Sequence, residues 1–335
     1  MACCLLMLPI DALPSCIQSL GIFDGLEARM LSDANRPMIC SANESILSCS
    51  SAAQPDLVNS CCVETFGGLV LSTQFWDTYT GLEFSGQLLP ANSWSLHGLW
   101  PDFCNGSYTQ YCDLSRQYDP HPSPNTTTGT PSGEPVPPYT GDTVDTFLAA
   151  LGKPGKTLLK WMKEFWIAQN QPSTELWAHE FSKHATCFST FDQECFSPEN
   201  LTRHTDLLDF FTVSADYFKT LPTWDWLAEG GIRPSNSTGY SLSQIQAVLK
   251  EKHGGVPFIG CGGPRWNETE AGEGTKDAGK TVLNEVWYYF HVYGRVQGGK
   301  GEAVGADMNG GSVSSCSKAD GAIWYYERTE GSERS

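Results

Sequence analysis

Two short segments of this 335-residue chain hold three of its seven histidines in company that packing alone does not call for. His97 lies in WSLHGLWPDFC, between Trp94 and Trp100. His179 and His184 lie in ELWAHEFSKHATC, with Glu180 and Lys183 between them. Wound as a helix at about 100° per residue, those four side chains fall within one arc of about 140°. The bland reading is a solvated polar face. Two imidazoles flanked by Trp177, Phe181 and Cys187 fit it poorly, because such a face is half-buried and perturbs its ionisable groups.

One reaction uses this whole set. Attack of a ribose 2′-hydroxyl on its neighbouring phosphate needs a base for the 2′ proton and an acid for the departing 5′ oxygen. It also needs donors or cations around a phosphorane that gains negative charge. Two histidines supply base and acid; a lysine and a third histidine hold the phosphate. No metal or other cofactor is required, because the nucleophile belongs to the substrate. The aromatic residues beside His97 offer flat surfaces on which a base stacks, worth about 1–3 kcal/mol per base. A zinc hydrolase is the rival chemistry. Its H-E-x-x-H motif sets the histidines at i and i+4, whereas His179 and His184 stand at i and i+5 with an ammonium between them. Both features disfavour a bound cation.

The rest of the chain must position these segments in an acidic protein. Lys and Arg number 21 against 38 Asp and Glu, a net charge of −17. That charge repels nucleic acid at long range and argues against a passive nucleic-acid binder, though not against an enzyme with a local cationic site. With 40% hydrophobic and 18% charged residues the chain is not globally disordered. No apolar run reaches the roughly 18 residues of a membrane-spanning helix. Ten cysteines follow residue 39, none in a C-x-x-C pair, and six N-x-S/T sequons accompany them at Asn43, Asn105, Asn125, Asn200, Asn236 and Asn267. Together they point to an oxidising, secretory compartment and five disulfides. Residues 1–39 hold Cys3, Cys4 and Cys16 and a short apolar run without a preceding basic residue. They read as an atypical leader or an unplaced N-terminal segment, outside the fold.

Residues 68–76 read as a buried strand, and 94–99 as a second. Residues 118–141, rich in Pro, Thr, Ser and Gly, read as a surface loop that buries nothing. Helical spacing appears over 143–151, over 157–169 with Leu158, Met162, Phe165 and Trp166 on one side, and over 207–218. Ser241 with Gln244 opens another helix and Gly254 stops it near His253. Strands are expected over 256–261, 281–296 and 322–327, with a Gly-rich polar loop over 268–280. Helices in the middle and strands on both sides give an α+β fold around one antiparallel sheet. His121, His204, His253 and His291 carry bland readings as loop, helix-end and sheet residues.

WSLHGLWPDFCNGSY and WAHEFSKHATC together resemble the two active-site segments of the ribonuclease T(2) family of secreted acid endoribonucleases. The flanking CCVETFGGLVLSTQFW, NEVWYYFHVYGRV and GSVSSC resemble its microbial branch. The resemblance covers residues 40 to about 327 and implies a single, disulfide-stapled, monomeric domain over 40–335, secreted or vacuolar/lysosomal. It implies cleavage of single-stranded RNA to 2′,3′-cyclic phosphates and then 3′-phosphates, with low base specificity and neither metal nor membrane as partner. By that likeness His97, His179, Glu180, Lys183 and His184 are catalytic, with base and acid exchangeable between His184 and His97. Trp100, Asp102 and Tyr108 match a primary base site, and Gln74 and Leu176, with 167–170, a looser second one. The implied disulfides are Cys40–Cys62, Cys49–Cys104, Cys61–Cys195, Cys112–Cys187 and Cys261–Cys316. Phe181 and Ala185 stand where the family usually has Trp and Gly; neither change removes a reacting group. The alternative function is a catalytically weak secreted RNA-binding or defence protein on the same scaffold, and the intact catalytic set opposes it.

Overall fold

The computed structural model describes residues 40, 43, 45–263, 279–307 and 312–335. Residues 1–39 with their three cysteines, the Asn267 sequon and most of the Gly-rich loop lie outside the described residues. Two long strands form the centre. β1, Leu69–Phe75, is buried along nearly its whole length, as a continuous apolar run requires. β1 lies between β2, Ser95–Asp102, and β5, Thr281–Val292, antiparallel to both. β5 also pairs with β4, Phe258–Gly262, and with β6, Gly301–Val304. β7, Ile323–Trp324, joins the start of β5 in parallel and carries β3, Gly239–Tyr240. The sheet is therefore mixed, and its one parallel pair modifies the all-antiparallel expectation. β7 is shorter than 322–327 because the residues beyond it turn inward: Tyr325 is buried, and its hydroxyl accepts the Trp94 Nε1–H at 3.0 Å.

Seven α-helices are described: α1 Val144–Ala150, α2 Lys153–Phe165, α3 Ser173–Lys183, α4 Pro198–Thr202, α5 Thr205–Lys219, α6 Thr223–Glu229 and α7 Leu242–His253. α7 begins with the expected capping box of Ser241 and Gln244 and stops at the left-handed Gly254. α2 buries Leu158 and Met162, with Trp166 just beyond it, against Trp177, Phe181, Phe210 and Phe211. That cluster reaches Val70 of β1 and Leu96 and Leu99 of β2. The short α4 and α6 carried no clear period in the sequence.

Residues 118–141 form no regular helix or strand, but they do bury side chains. Asp119 and Val136 are buried, against the expectation for this segment. Its polar composition hid the fact that a carboxylate is readily buried once its acceptor oxygens are occupied. Asp119 Oδ2 accepts from the Tyr111 hydroxyl at 2.9 Å and faces His179 Nδ1 at 2.7 Å.

Five disulfides join Cys40–Cys62, Cys49–Cys104, Cys61–Cys195, Cys112–Cys187 and Cys261–Cys316, the pairs implied by the family likeness. Cys49–Cys104 ties the end of β2 to the N-terminal segment, and Cys112–Cys187 ties the chain after α3 to the approach of the Pro-rich loop.

Candidate active site

His97 owes its position to an irregularity in the sheet. Thr73 pairs with Gly98 and Gln74 with Leu96, so His97 is the extra residue of a bulge in β2. Bulges re-aim side chains and recur beside active sites. The imidazole stacks on Phe75, with ring centroids 3.7 Å apart, and meets the Trp100 ring edge-on at 4.7 Å. Its Nδ1 lies 2.6 Å from Glu285 Oε1, and its Nε2 lies 3.5 Å from Glu180 Oε1.

The other groups come from α3 and the turn that ends it. Glu180 is fully buried. Its Oε2 accepts the Trp100 Nε1–H at 2.7 Å, while its Oε1 makes no hydrogen bond. Gly98 makes this possible, since a Cβ there would lie 1.8 Å from Glu180 Oε2. Helix α3 ends at Lys183, and His184 is its C-cap, with its N–H donating to Glu180 O at 3.2 Å. The His184 ring stacks on Trp100 at 5.0 Å, with Nε2 4.0 Å from Glu180 Oε2. Burial holds the His184 pKa well below the usual 6.5, helped by repulsion from Lys183, His179 and His97.

Lys183 Nζ donates to Ser123 O at 3.1 Å in the Pro-rich loop, and burial lowers its pKa despite the nearby Glu180 and Asp119 carboxylates. His179 is fixed by Asp119 on the same loop. Burial works to raise the Asp119 pKa, but the His179 ring and the hydrogen bonds from the His121 N–H and Tyr111 outweigh it and hold it below the usual carboxylate range.

All five residues of the two sequence segments thus converge, and Glu180 stands between His97 and His184. Glu285 and Asp119 were not singled out in the sequence. For Glu285 a signal existed, since it is a lone carboxylate near the middle of an aromatic strand. Nothing in the Pro-rich loop marks Asp119.

The base-site residues are less uniformly placed. Trp100 is packed among His97, His184 and Trp287, with the last ring edge-on at 5.2 Å. Asp102 ends β2, and burial pushes its pKa up to about 7. Tyr108 is 64% exposed on the following loop. The expected second site is not assembled from free groups. Leu176 packs into the core, and the buried Gln74 donates to Leu221 O at 2.9 Å and accepts from Thr223 Oγ1 at 2.7 Å. Both were assigned by the family likeness, which does not report burial.

Among the sequons, Asn105, Asn125 and Asn236 are exposed and Asn43 is half-buried. Asn200 is buried in α4, where an attached sugar has no room. The spacing argument against a metal also changes. Because His184 leaves the helix, ligand atoms of His179, Glu180 and His184 lie within 4.8 Å of one another. The Lys183 ammonium beside them remains the physical objection to a cation.

One imidazole from a sheet strand, and two more with a buried carboxylate and an amine from a helix end, make the apparatus of an acid–base enzyme. The chain belongs to the ribonuclease T2 family, whose model matches residues 67–298. It is 36% identical over 273 residues to Ribonuclease Le2 of Lentinula edodes, covering 80% of this chain and 91% of that one. It is 35% identical to Ribonuclease Trv of Hypocrea rufa, covering 77% and 87%. It spans about half (52%) of the longer Ribonuclease T2-like 1-A of Candida albicans, at 34% identity. Among solved structures, Actibind, described as a T2 ribonuclease, superposes with a TM-score of 0.60 at 30% identity, covering 86% of this chain and 98% of that one.

Proposed function

We propose that the chain is an endoribonuclease acting on single-stranded RNA, in which His184 is the general base and His97 the general acid. His184 Nε2 takes the proton of the 2′-hydroxyl. The 2′ oxygen bonds to phosphorus, the P–O5′ bond breaks, and His97 Nε2 gives its proton to O5′. The product is a 2′,3′-cyclic phosphate. Water then opens it to a 3′-phosphate with the two histidines exchanging roles. Lys183 and His179 bind the phosphate, and Glu180 orients both imidazoles.

The observation that carries this reading is Glu180, buried and flanked by His97 Nε2 at 3.5 Å and His184 Nε2 at 4.0 Å. The surroundings support this direction of proton flow. Burial and cationic neighbours keep the His184 ring neutral, as a base must be. His97 has a carboxylate at each ring nitrogen, Glu285 at Nδ1 and Glu180 at Nε2, and its side chain faces the place of a leaving oxygen in this assignment. The reaction needs no metal. The disulfides and exposed sequons support a secreted or vacuolar/lysosomal location, and no described helix is long and apolar enough to cross a membrane.

A substrate with a very good leaving group tests the assignment. On it His97→Phe recovers much of its activity and His184→Phe does not; the opposite pattern exchanges the roles. Cleavage of RNA in excess EDTA tests the metal-free chemistry, which predicts no loss.

A further inference from the structure

We propose that Glu285 of β5 is a positioning residue that fixes the ring and tautomer of His97. The inference rests on the reading of His97 as the general acid. Glu285 Oε1 lies 2.6 Å from His97 Nδ1, the shortest contact either ring nitrogen makes. The contact reaches across β1. Glu285 pairs with Phe75 of β1, on whose ring His97 stacks, so one strand carries the floor under the imidazole and the next carries the carboxylate at its edge. On the far side Glu285 pairs with Gly260 of β4. A Cβ at Gly260 would lie 2.7 Å from Glu285 Cβ, so this glycine leaves the room in which the Glu285 side chain stands.

The chemistry follows from where the proton sits. Imidazole must offer Nε2 to the leaving oxygen, so its other proton must stay on Nδ1. A carboxylate at Nδ1 enforces that tautomer and pairs with the imidazolium before it gives up the Nε2 proton. After transfer the ring is neutral, with Nδ1–H still donated to Glu285. In the second step Nε2 takes a proton from water and the ion pair re-forms. The charged groups facing this pair are Glu180 at Nε2, the His184 ring, and Asp77 at the end of β1. Burial raises the Asp77 pKa to about 7, opposed by Arg328 and His97 and reinforced by Glu285. A carboxyl held so high is largely protonated at acid pH and competes little for the imidazole.

Glu285→Gln keeps the shape and removes the charge. Its turnover should be compared on a dinucleoside phosphate, whose alkoxide leaving group needs an acid, and on a nucleoside 3′-(4-nitrophenyl phosphate), whose phenolate does not. The expected result is a loss of about 10–100-fold on the first substrate and little change on the second. Adding Glu285→Gln to His97→Ala should cost nothing further on either. Equal losses on both substrates, or a further loss in the double variant, would overturn the proposal and make Glu285 a fold residue. If His97→Ala alone kept full activity, the acid assignment itself would fail, a result separate from any behaviour of Glu285. Thermal melting checks that the variant folds. If Glu285→Gln does not fold, Glu285→Asp, too short to reach Nδ1, gives the same two-substrate comparison with the same outcomes.

Discussion

The Asp119 carboxylate holds the Nδ1 of His179 at 2.7 Å, and this contact ties helix α3 to a loop with no helix or strand of its own. A buried acceptor on an irregular segment thereby fixes the imidazole that the proposed mechanism assigns to the phosphate. Lys183, four residues further on, is held to the same loop through Ser123 O.

Asp119→Asn should raise KM for RNA more than it lowers kcat, measured by steady-state kinetics on a dinucleoside phosphate. It should also cost stability, about 1.5–3 kcal/mol for a hydrogen bond to a charged group. The Asp119 pKa is held below that of the unfolded chain, so its contribution is present above about pH 4 and is lost as pH falls through the lower folded value. The melting-temperature gap between variant and wild type should therefore be wide at pH 6 and narrow on acidification.

Lys183→Met should move the acid limb of the pH–rate profile upward. A base works only when neutral, so the limb reports its pKa. Burial lowers that of His184 first, and the Lys183 charge lowers it further. Removing the charge lets the pKa rise, and the limb moves toward higher pH. The plateau rate should fall by about 100-fold as a transition-state donor is lost. An unmoved limb would remove Lys183 from the surroundings of the base.

Gly98→Ala tests the packing of the buried carboxylate. The new methyl would collide with Glu180 Oε2 and lie 2.6 Å from Trp100 Nε1. Both partners are core-facing groups with little freedom. Overpacking of this kind costs about 1–3 kcal/mol. Activity should fall further than stability, because displacement of Glu180 misplaces His97 and His184 together. Denaturant unfolding beside an activity assay distinguishes the two losses.

Asp102→Asn addresses the base site. With a pKa near 7 the Asp102 side chain is a donor and acceptor in acid and an acceptor only in alkali. Relative rates on purine and pyrimidine dinucleotides should change through pH 7 in the wild type and stay flat in the variant. The raised pKa also fixes a sign for stability. Ionising Asp102 costs nothing below about pH 4, costs progressively more as pH rises, and reaches its full cost above about 7. The variant should gain melting temperature over wild type at pH 8 and lose that gain near pH 4.

The candidate site was legible as two short segments. His179, Glu180, Lys183 and His184 share one turn-and-a-half, and His97 stands between two tryptophans, so local spacing marked each segment, while the fold sets His97 against Glu180. The strands at 69–75 and 281–292 and the capped helix at 242–253 were legible for the same reason: apolar period and end signals are local. What the sequence left open is what lies far apart along it. The His97 bulge depends on how β1 and β2 register, and that register is set by pairing across the sheet rather than by either strand. Glu285 meets His97 over 188 residues of separation, and Asp119 meets His179 over 60. Gln74 and Leu176, assigned to a second base site by the family likeness, are both buried, and burial is decided by what packs above a residue. Types and short spacings fix which groups are available for chemistry. Only the tertiary structure brings distant carboxylates against the Nδ1 atoms of His97 and His179, because those contacts join elements far apart in the chain.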